Sequence, residues 1–261
     1  MHKDLVTVVI PIYKTNLSET EKMSLNQCLK ILGDYNIVFI QPENLDASSI
    51  NFNKIKSEKF PKEYFVNVFG YNSLMLSEIF YERFLYSKYI LIYQLDAFVF
   101  KDDLLMWCNK GYDYIGAPWI ASPNTLLKRV ISIFNSKRKK ERSKIFFEVG
   151  NGGFSLRNTE KSYKIAKEFK KEVSENLKRK KMDFHVMEDV FWSITVPKHF
   201  SDFKIPEYKE ALNFSMDRKP NLALKLNNNN IPFGCHGFEK PKVKAFWEPI
   251  LKEHFLRSKT L

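Results

Sequence analysis

LVTVVIPIY, residues Leu5 to Tyr13, is the stretch that decides the fold class. Its Val and Ile residues run without polar alternation up to a proline, the pattern of a strand buried on both faces of a parallel sheet. A helix is expected next. Ser18 and Glu21 have capping-box spacing, Leu25, Cys28, Leu29 and Leu32 share one face, and Gly33 provides a stop. Asn36 to Ile40, closed by Pro42, then reads as a second strand. Such a β-α-β beginning predicts an α/β fold with a Rossmann-like, mostly parallel sheet flanked by helices. Residues 5–13 are read as a strand rather than a signal peptide, because Asp4 and Pro11 spoil that pattern and no small-residue cleavage site follows.

Further along, residues 72–86 (NSLMLSEIFYERFLY) carry apolar side chains at helical spacing, and Tyr89 to Tyr93 reads as a continuous buried strand. Asp96 lies just past that strand's carboxyl end, where ligands bind in open α/β sheets. The stretch 112–119 (YDYIGAPW) reads as a short strand broken by Gly116 and Pro118, which leaves Trp119 on a loop. A loop tryptophan either seals the edge of the core or forms a flat apolar wall for a sugar ring. Both readings stand at this point.

The composition is that of a folded globular protein, with 261 residues of which 44% are hydrophobic and 23 are Phe. A single domain over residues 1–261 is expected. Cys28, Cys108 and Cys235 are too few and too widely spaced for a disulfide framework or a structural zinc site, which favours a reducing compartment. The longest apolar run, Tyr89 to Phe100, contains Asp96 and falls short of the ~20 residues that a membrane-spanning helix needs. The net charge of +12 is concentrated. Residues 128–144 hold eight Lys or Arg against Glu141, and 161–181 hold nine against Glu168, Glu172 and Glu175. Both segments, spanning 124–144 and 160–181, read as basic helical elements. In the first, Leu126, Leu127, Val130, Ile131 and Phe134 form an apolar stripe ahead of KRKKERSK (137–144), a pattern that lies on an anionic membrane or packs on the sheet. In the second, Ile165, Phe169, Val173 and Leu177 form a stripe for which packing suffices.

Three motifs carry candidate chemistry. GNGGFSLRN (150–158) offers small residues that let the backbone approach a ligand closely. EDVFW (188–192) places two adjacent carboxylates beside Val190, Phe191 and Trp192, where they lose water and shift in pKa. An acidic pair at a helix N-terminus is the plainer reading of the same residues. PFGCHGFEKP (232–241) sets His236 between Gly234 and Gly237.

Taken in order, IPIYK, an Asp after a central strand, YDYIGAPW, GNGGFSLR, EDVFWS and a late His resemble a family of bacterial glycosyltransferase-like domains met among surface-polysaccharide genes. The wider likeness is to nucleotide-sugar glycosyltransferases of the A-type fold, and more distantly to the inverting β-1,3-glycosyltransferases. It spans about Val6 to Lys240.

The resemblance implies that Pro11 and Tyr13 border the nucleotide base, with Asn72 assisting and Asp96 beside the diphosphate. Trp119, Asn151, Gly152 and Gly153 would line the sugar pocket, Asp189 would be the general base, and Glu188 would orient it or bind the sugar. Asp96 and His236 would hold a divalent metal, Mn or Mg. The stretch Asp96-Ala97-Phe98 nevertheless lacks the second carboxylate of the Asp-x-Asp metal motif, so Lys and Arg side chains are the alternative neutralisers of the diphosphate. The implied partners are a nucleotide-sugar donor, UDP-sugar favoured, and a glycan or lipid-linked acceptor, at the inner face of the plasma membrane in the cytoplasm.

Two other classes compete. The local basicity suits a noncatalytic protein for anionic lipid or nucleic acid, although no nucleic-acid motif is recognisable. Asp96 and Asp189 would also serve a glycoside hydrolase, whose paired carboxylates stand roughly 5–10 Å apart.

Overall fold

A computed structural model of the chain describes residues 5–45, 55–121, 143–178 and 187–257. Its centre is a six-stranded sheet in the order β3-β2-β1-β4-β7-β6. The strands are β1 Val6–Pro11, β2 Asn36–Pro42, β3 Lys56–Phe60, β4 Tyr89–Tyr93, β6 Tyr114–Ile115 and β7 Phe154–Asn158. β1 pairs in parallel with β2 and with β4, and β2 with β3. β7 runs antiparallel to β4, with Leu91 opposite Leu156, and β6 antiparallel to β7. The expected α/β architecture is therefore present. The chain builds outward from β1 to β2 and β3, then returns to place β4 on the other side of β1. The strand order thus reverses between β1 and β4, and ligands in open α/β sheets bind beyond the strand ends at such a reversal.

Helix α1, Glu19–Leu32, carries the expected capping box, with the Ser18 hydroxyl accepting from the Glu21 N–H and the Glu21 carboxylate accepting from the Ser18 N–H. The single helix expected over 72–86 is instead two, α2 Val68–Met75 and α3 Glu78–Glu82. Asn67 starts the first by accepting from the N–H groups of Phe69 and Gly70, and Ser77, extended in backbone, begins the second. The second helix start, at Ser77, lay inside one apolar pattern, so periodicity merged the two helices.

Of the second basic element, Thr159–Glu168 and Lys170–Leu177 are helical, with Ile165 and Val173 buried and Phe169 packed against the core, as a sheet-packed helix requires. The apolar stripe of 126–134 lies outside the described residues, as does nearly all of the basic cluster at 137–144.

A second sheet, β5 Ala97–Val99, β9 Gly234–His236 and β8 Ser215–Met216 in the order β5-β9-β8, was not apparent in the sequence. Its own core includes Phe98, Phe100, Met216, Cys235 and Trp247 from the C-terminal helix Pro241–Arg257. The rings of Phe100 and Trp247 stack at 5.7 Å. Burying an aromatic of this size contributes about 1.5–3 kcal/mol, so this small sheet is firmly seated. All three cysteines are free and buried. No helix among the described residues is long and apolar enough to cross a membrane.

Candidate active site

Three strand registers bring distant residues together. β5 pairs with β9 so that Ala97 stands opposite His236, which sets the preceding Asp96 beside the imidazole. β8 pairs with β9 so that Met216 stands opposite Cys235, which brings the next residue, Asp217, to the other side of the same ring. β4 pairs with β7 so that Tyr93 stands opposite Phe154, and the Gln94 N–H donates to the Gly153 carbonyl at 2.9 Å.

The result is a polar cluster around His236. Its Nε2 lies 3.0 Å from Asp96 Oδ1 and 3.2 Å from Gln94 Oε1, while its Nδ1 lies 3.6 Å from Asp217 Oδ1. The Lys240 ammonium faces both acids, at 3.6 Å from Asp96 and 3.7 Å from Asp217. Asn151, in a left-handed conformation with φ 48°, donates from Nδ2 to Asp217 at 2.9 Å and accepts from the Gly153 N–H. Asparagine tolerates that backbone better than most residues.

Burial alone would lower the His236 pKa, but the flanking carboxylates of Asp96 and Asp217 outweigh it and raise the group to about 9. Burial pushes the two acids up, and the imidazolium and Lys240 pull both below the usual carboxylate range. Gly153 is required here, since a Cβ would fall 2.1 Å from His236 Nε2.

The acid pair sits on the other side of the same glycines. Glu188 is buried and ion-paired with Arg157, whose side chain is fully enclosed and also donates to Tyr81, Ser155 and the Gly152 carbonyl. A Cβ on Gly152 would lie 2.2 Å from Glu188 Oε2, so this glycine makes room for the carboxylate. Asn72 Oδ1 accepts the Glu188 N–H at 2.5 Å.

Asp189 differs from its neighbour. It is half-buried, and one of its oxygens accepts from the Val190 N–H at 2.9 Å. Desolvation, then repulsion from Glu188, pushes its carboxyl up to about 7. A π-turn over Phe191–Thr195 follows directly, a local irregularity often found at functional sites.

A cavity of about 470 Å³ opens at the β1/β4 reversal, lined by Pro11, Tyr13, Lys14, Phe65, Tyr71 and Asp96 among others. Of the residues anticipated from sequence, Pro11, Tyr13 and Asp96 border it. Asn72 does not, being turned to the acid pair instead. Asn151 and Gly153 join Asp96 in the His236 cluster, while Gly152 joins Glu188. Trp119 packs half-buried beside Ile145 and Val190 and against Gly150, so its ring contributes to a small apolar cluster.

Gln94, Arg157, Asp217 and Lys240 were missed. Gln94 had a readable signal, standing two residues before Asp96 at Asp-x-Asp spacing. Asp217 and Lys240 reach the site only through the second sheet and the turn after it.

Residues 54–236 match a family described as "Protein of unknown function (DUF5672)". The chain belongs to that family. No curated protein matches it. In fold, this DUF5672 chain is similar to mouse xyloside xylosyltransferase 1, at 9% identity and TM-score 0.48, covering 88% of this chain and 96% of that one. It is also similar to the galactosyltransferase LgtC, at 13% identity and TM-score 0.46, covering 88% and 86%. The mannosyltransferase Ktr4p from S. cerevisiae is similar over 61% of this chain and 57% of its own, at 11% identity and TM-score 0.41.

The resemblance seen in the sequence implies a divalent cation, and the donor chemistry bears on it. Among the described residues, His, Cys, Asp and Glu side chains alone make no group of three able to hold a metal. Asp96 and His236 do, however, present an oxygen and a nitrogen 3.0 Å apart, the spacing of neighbouring ligands on one ion. Holding a metal there would require His236 to give up the proton that its carboxylate partners favour, and donors beyond these two.

Proposed function

We propose that this protein is a glycosyltransferase that moves a sugar from a nucleotide-sugar donor, UDP-sugar favoured, to a glycan or lipid-linked acceptor in bacterial surface-polysaccharide synthesis. The observation that carries the reading is the cavity at the β1/β4 reversal, which runs from Pro11 and Tyr13 to Asp96. It has the volume of a small-molecule site, and its lining combines the rings of Tyr13, Phe65 and Tyr71 with the charged side chains of Lys14, Glu21, Asp96 and Glu239. The rings suit a nucleobase, and Lys14 suits a phosphate.

In this reading Tyr13, 57% exposed, packs on the base, and the His236 imidazolium and Lys240 lie towards the diphosphate. Asp189 takes the proton of the acceptor hydroxyl as its oxygen attacks the anomeric carbon. The bond from that carbon to the diphosphate breaks, the electron pair leaves with the phosphate oxygen, and the configuration inverts. A carboxyl held near pH 7 suits a general base, because it is ionised in good part yet basic enough to take a proton. Arg157 and Asn72 hold Glu188, and Glu188 sets the field at Asp189. A divalent cation held by Asp96 and the neutral imidazole of His236 would supply charge neutralisation at the diphosphate in place of the imidazolium. A cytoplasmic setting at the inner membrane face, with the basic segments 124–144 and 160–181 meeting anionic lipid, belongs to the same proposal.

Calorimetric titration with UDP, GDP and CMP tests the reading. Binding of one of them at micromolar to millimolar affinity is expected, and failure of all three would overturn it.

A further inference from the structure

We propose that Phe146, Phe147, Arg218 and Lys219 form a platform for an acidic saccharide, the acceptor of the proposed transfer, apart from the cavity at the β1/β4 reversal. Among the described side chains, the exposed phenylalanines are Phe69, Phe146 and Phe147. Apart from asparagines and glycines, the described residues with a left-handed backbone are Phe147, at φ 66°, and Lys219, at φ 54°. The two turns meet, because the Lys219 ammonium lies 5.7 Å over the Phe146 ring. A left-handed backbone is unfavourable for side chains of this size, and such strain persists where the surroundings impose it, most often at ligand sites.

Both turns are fixed to the candidate active site. The Phe147 N–H donates to the Trp119 carbonyl at 2.8 Å, the Trp119 N–H donates to the Glu148 carbonyl at 3.0 Å, and the Phe147 ring meets Tyr208 edge-on at 5.1 Å. Ile145, just ahead of the exposed rings, is buried in one cluster with Val190, the residue after Asp189. Arg218 and Lys219 directly follow Asp217, the acid nearest His236 Nδ1. The rings are thus tied to the proposed base, and the cations to the His236 cluster.

The chemistry of this surface selects its occupant. Exposed ring faces pack against the C–H face of a pyranose, and a cation held over a ring is placed to meet an anion on the same sugar. By formal charge, Lys144 offsets Glu148 in the first turn, Lys209 offsets Glu207 around Tyr208, and Asp217 faces His236 and Lys240. Arg218 and Lys219 then make a positive surplus. The Arg218 side chain is 69% exposed and reaches Asp217 only at 3.8 Å, so a carboxylate or phosphate on the saccharide is favoured over a neutral group.

The platform rests on the glycosyltransferase reading for its role, but its test needs neither transfer nor donor, so the two fail separately. Ligand-observed NMR on the full chain follows methyl glucuronide, glucose 6-phosphate and methyl glucoside, with folding of each variant checked by circular dichroism. The charged ligands are expected to bind at millimolar affinity, about two- to fivefold tighter than the glucoside, with a preference that fades as salt is added. Whichever of them binds tighter identifies the charged group as carboxylate or phosphate. Phe146→Ala and Phe147→Gly are each expected to weaken all three ligands about 3- to 10-fold. Lys219→Asn, an exchange that suits the left-handed backbone, is expected to reduce the preference for charge and leave the glucoside unaffected. Equal affinity for charged and neutral ligands, unchanged binding in Phe146→Ala and Phe147→Gly, or no saccharide binding would each overturn the platform. Displacement of the saccharide by UDP would place it in the cavity and overturn it too. Saccharide binding in the expected order, by a protein that binds none of UDP, GDP and CMP, would leave the platform standing and remove the donor-sugar reading.

Discussion

Arg157 and Glu188 meet in an ion pair whose guanidinium is wholly shut off from solvent. The pair ties β7 to the turn that carries Asp189. Arg157 is also held by Tyr81 at 2.9 Å and lies over the Tyr114 ring at 5.4 Å. Removing one partner of such a pair leaves the other charge buried without compensation. Arg157→Met is therefore expected to cost about 3–5 kcal/mol in urea unfolding, and pairing it with Glu188→Gln to recover part of that loss. A loss below ~1 kcal/mol, the size of an exposed pair, would show that water reaches Glu188 and that the pair does not hold the turn.

Asp189→Asn separates catalysis from binding. The amide keeps the shape and cannot take a proton, so kcat for transfer is expected to fall about 10²- to 10⁴-fold while nucleotide affinity changes little. A noncatalytic polyanion-binding protein would lose nothing measurable from this change. Retained turnover in Asp189→Asn would assign the proton to another group, and a product keeping the donor's anomeric configuration by NMR would contradict inversion.

The same carboxyl links activity to stability with opposite signs. In the unfolded chain it titrates near 3.8, and in the folded protein desolvation and Glu188 hold it near 7. Below the lower value the group is protonated in both states and has no effect. Between the two, the unfolded chain releases the proton and the folded protein keeps it, so stability falls as pH rises and levels off above about 7. Turnover is expected to rise over the upper part of that range, as the proposed base ionises. Asp189→Asn is expected to be more stable than the unmodified protein at pH 8 by on the order of 2–4 kcal/mol, and nearly equal to it at pH 4. Glu188→Gln removes a source of the shift and moves the acid limb of the rate profile to lower pH. Urea unfolding and initial rates at matched pH check both statements, and a pH-independent difference between the two proteins would discard the raised pKa.

How much of this was legible in the sequence depended on the range of the interaction. The first β-α-β unit was readable because the capping box at Ser18 and Glu21, the apolar face of α1 and the unbroken Val/Ile strand are all local. The boundary between α2 and α3 was not, since the apolar spacing continues across Ser77. Motif order identified Asp96, the glycines, the acid pair and His236 as candidates, but not which of them meet. Gly152 and Gly153, adjacent in sequence, serve Glu188 and His236 respectively. Strands of two or three residues such as β8 and β9 have no periodicity to detect, and these are the strands that bring Asp217 to His236. The resemblance alone sets Asn72 beside a nucleotide, whereas its side chain accepts the backbone N–H of Glu188.

The exposed aromatic of the cavity gives the last expectation. Tyr13 lies past the end of β1 with 57% of its surface exposed, and Phe65, Val66 and Val68 line the same cavity. Exposing these side chains to water is unfavourable unless something covers them, and the flat face of a nucleobase is a suitable cover. Tyr13→Ala is expected to weaken nucleotide binding by about 1–2 kcal/mol, or roughly 5- to 30-fold in Kd, chiefly through lost ring contact. Tyr13→Phe should retain most of the affinity, because the hydroxyl has no part in stacking. The comparison is made by calorimetry with the nucleotide that binds best, using inorganic diphosphate as a control whose affinity Tyr13→Ala should leave alone. Equal losses for nucleotide and diphosphate would mean that the substitution disturbs the charged residues of the cavity, and the assignment of Tyr13 to the base would fall.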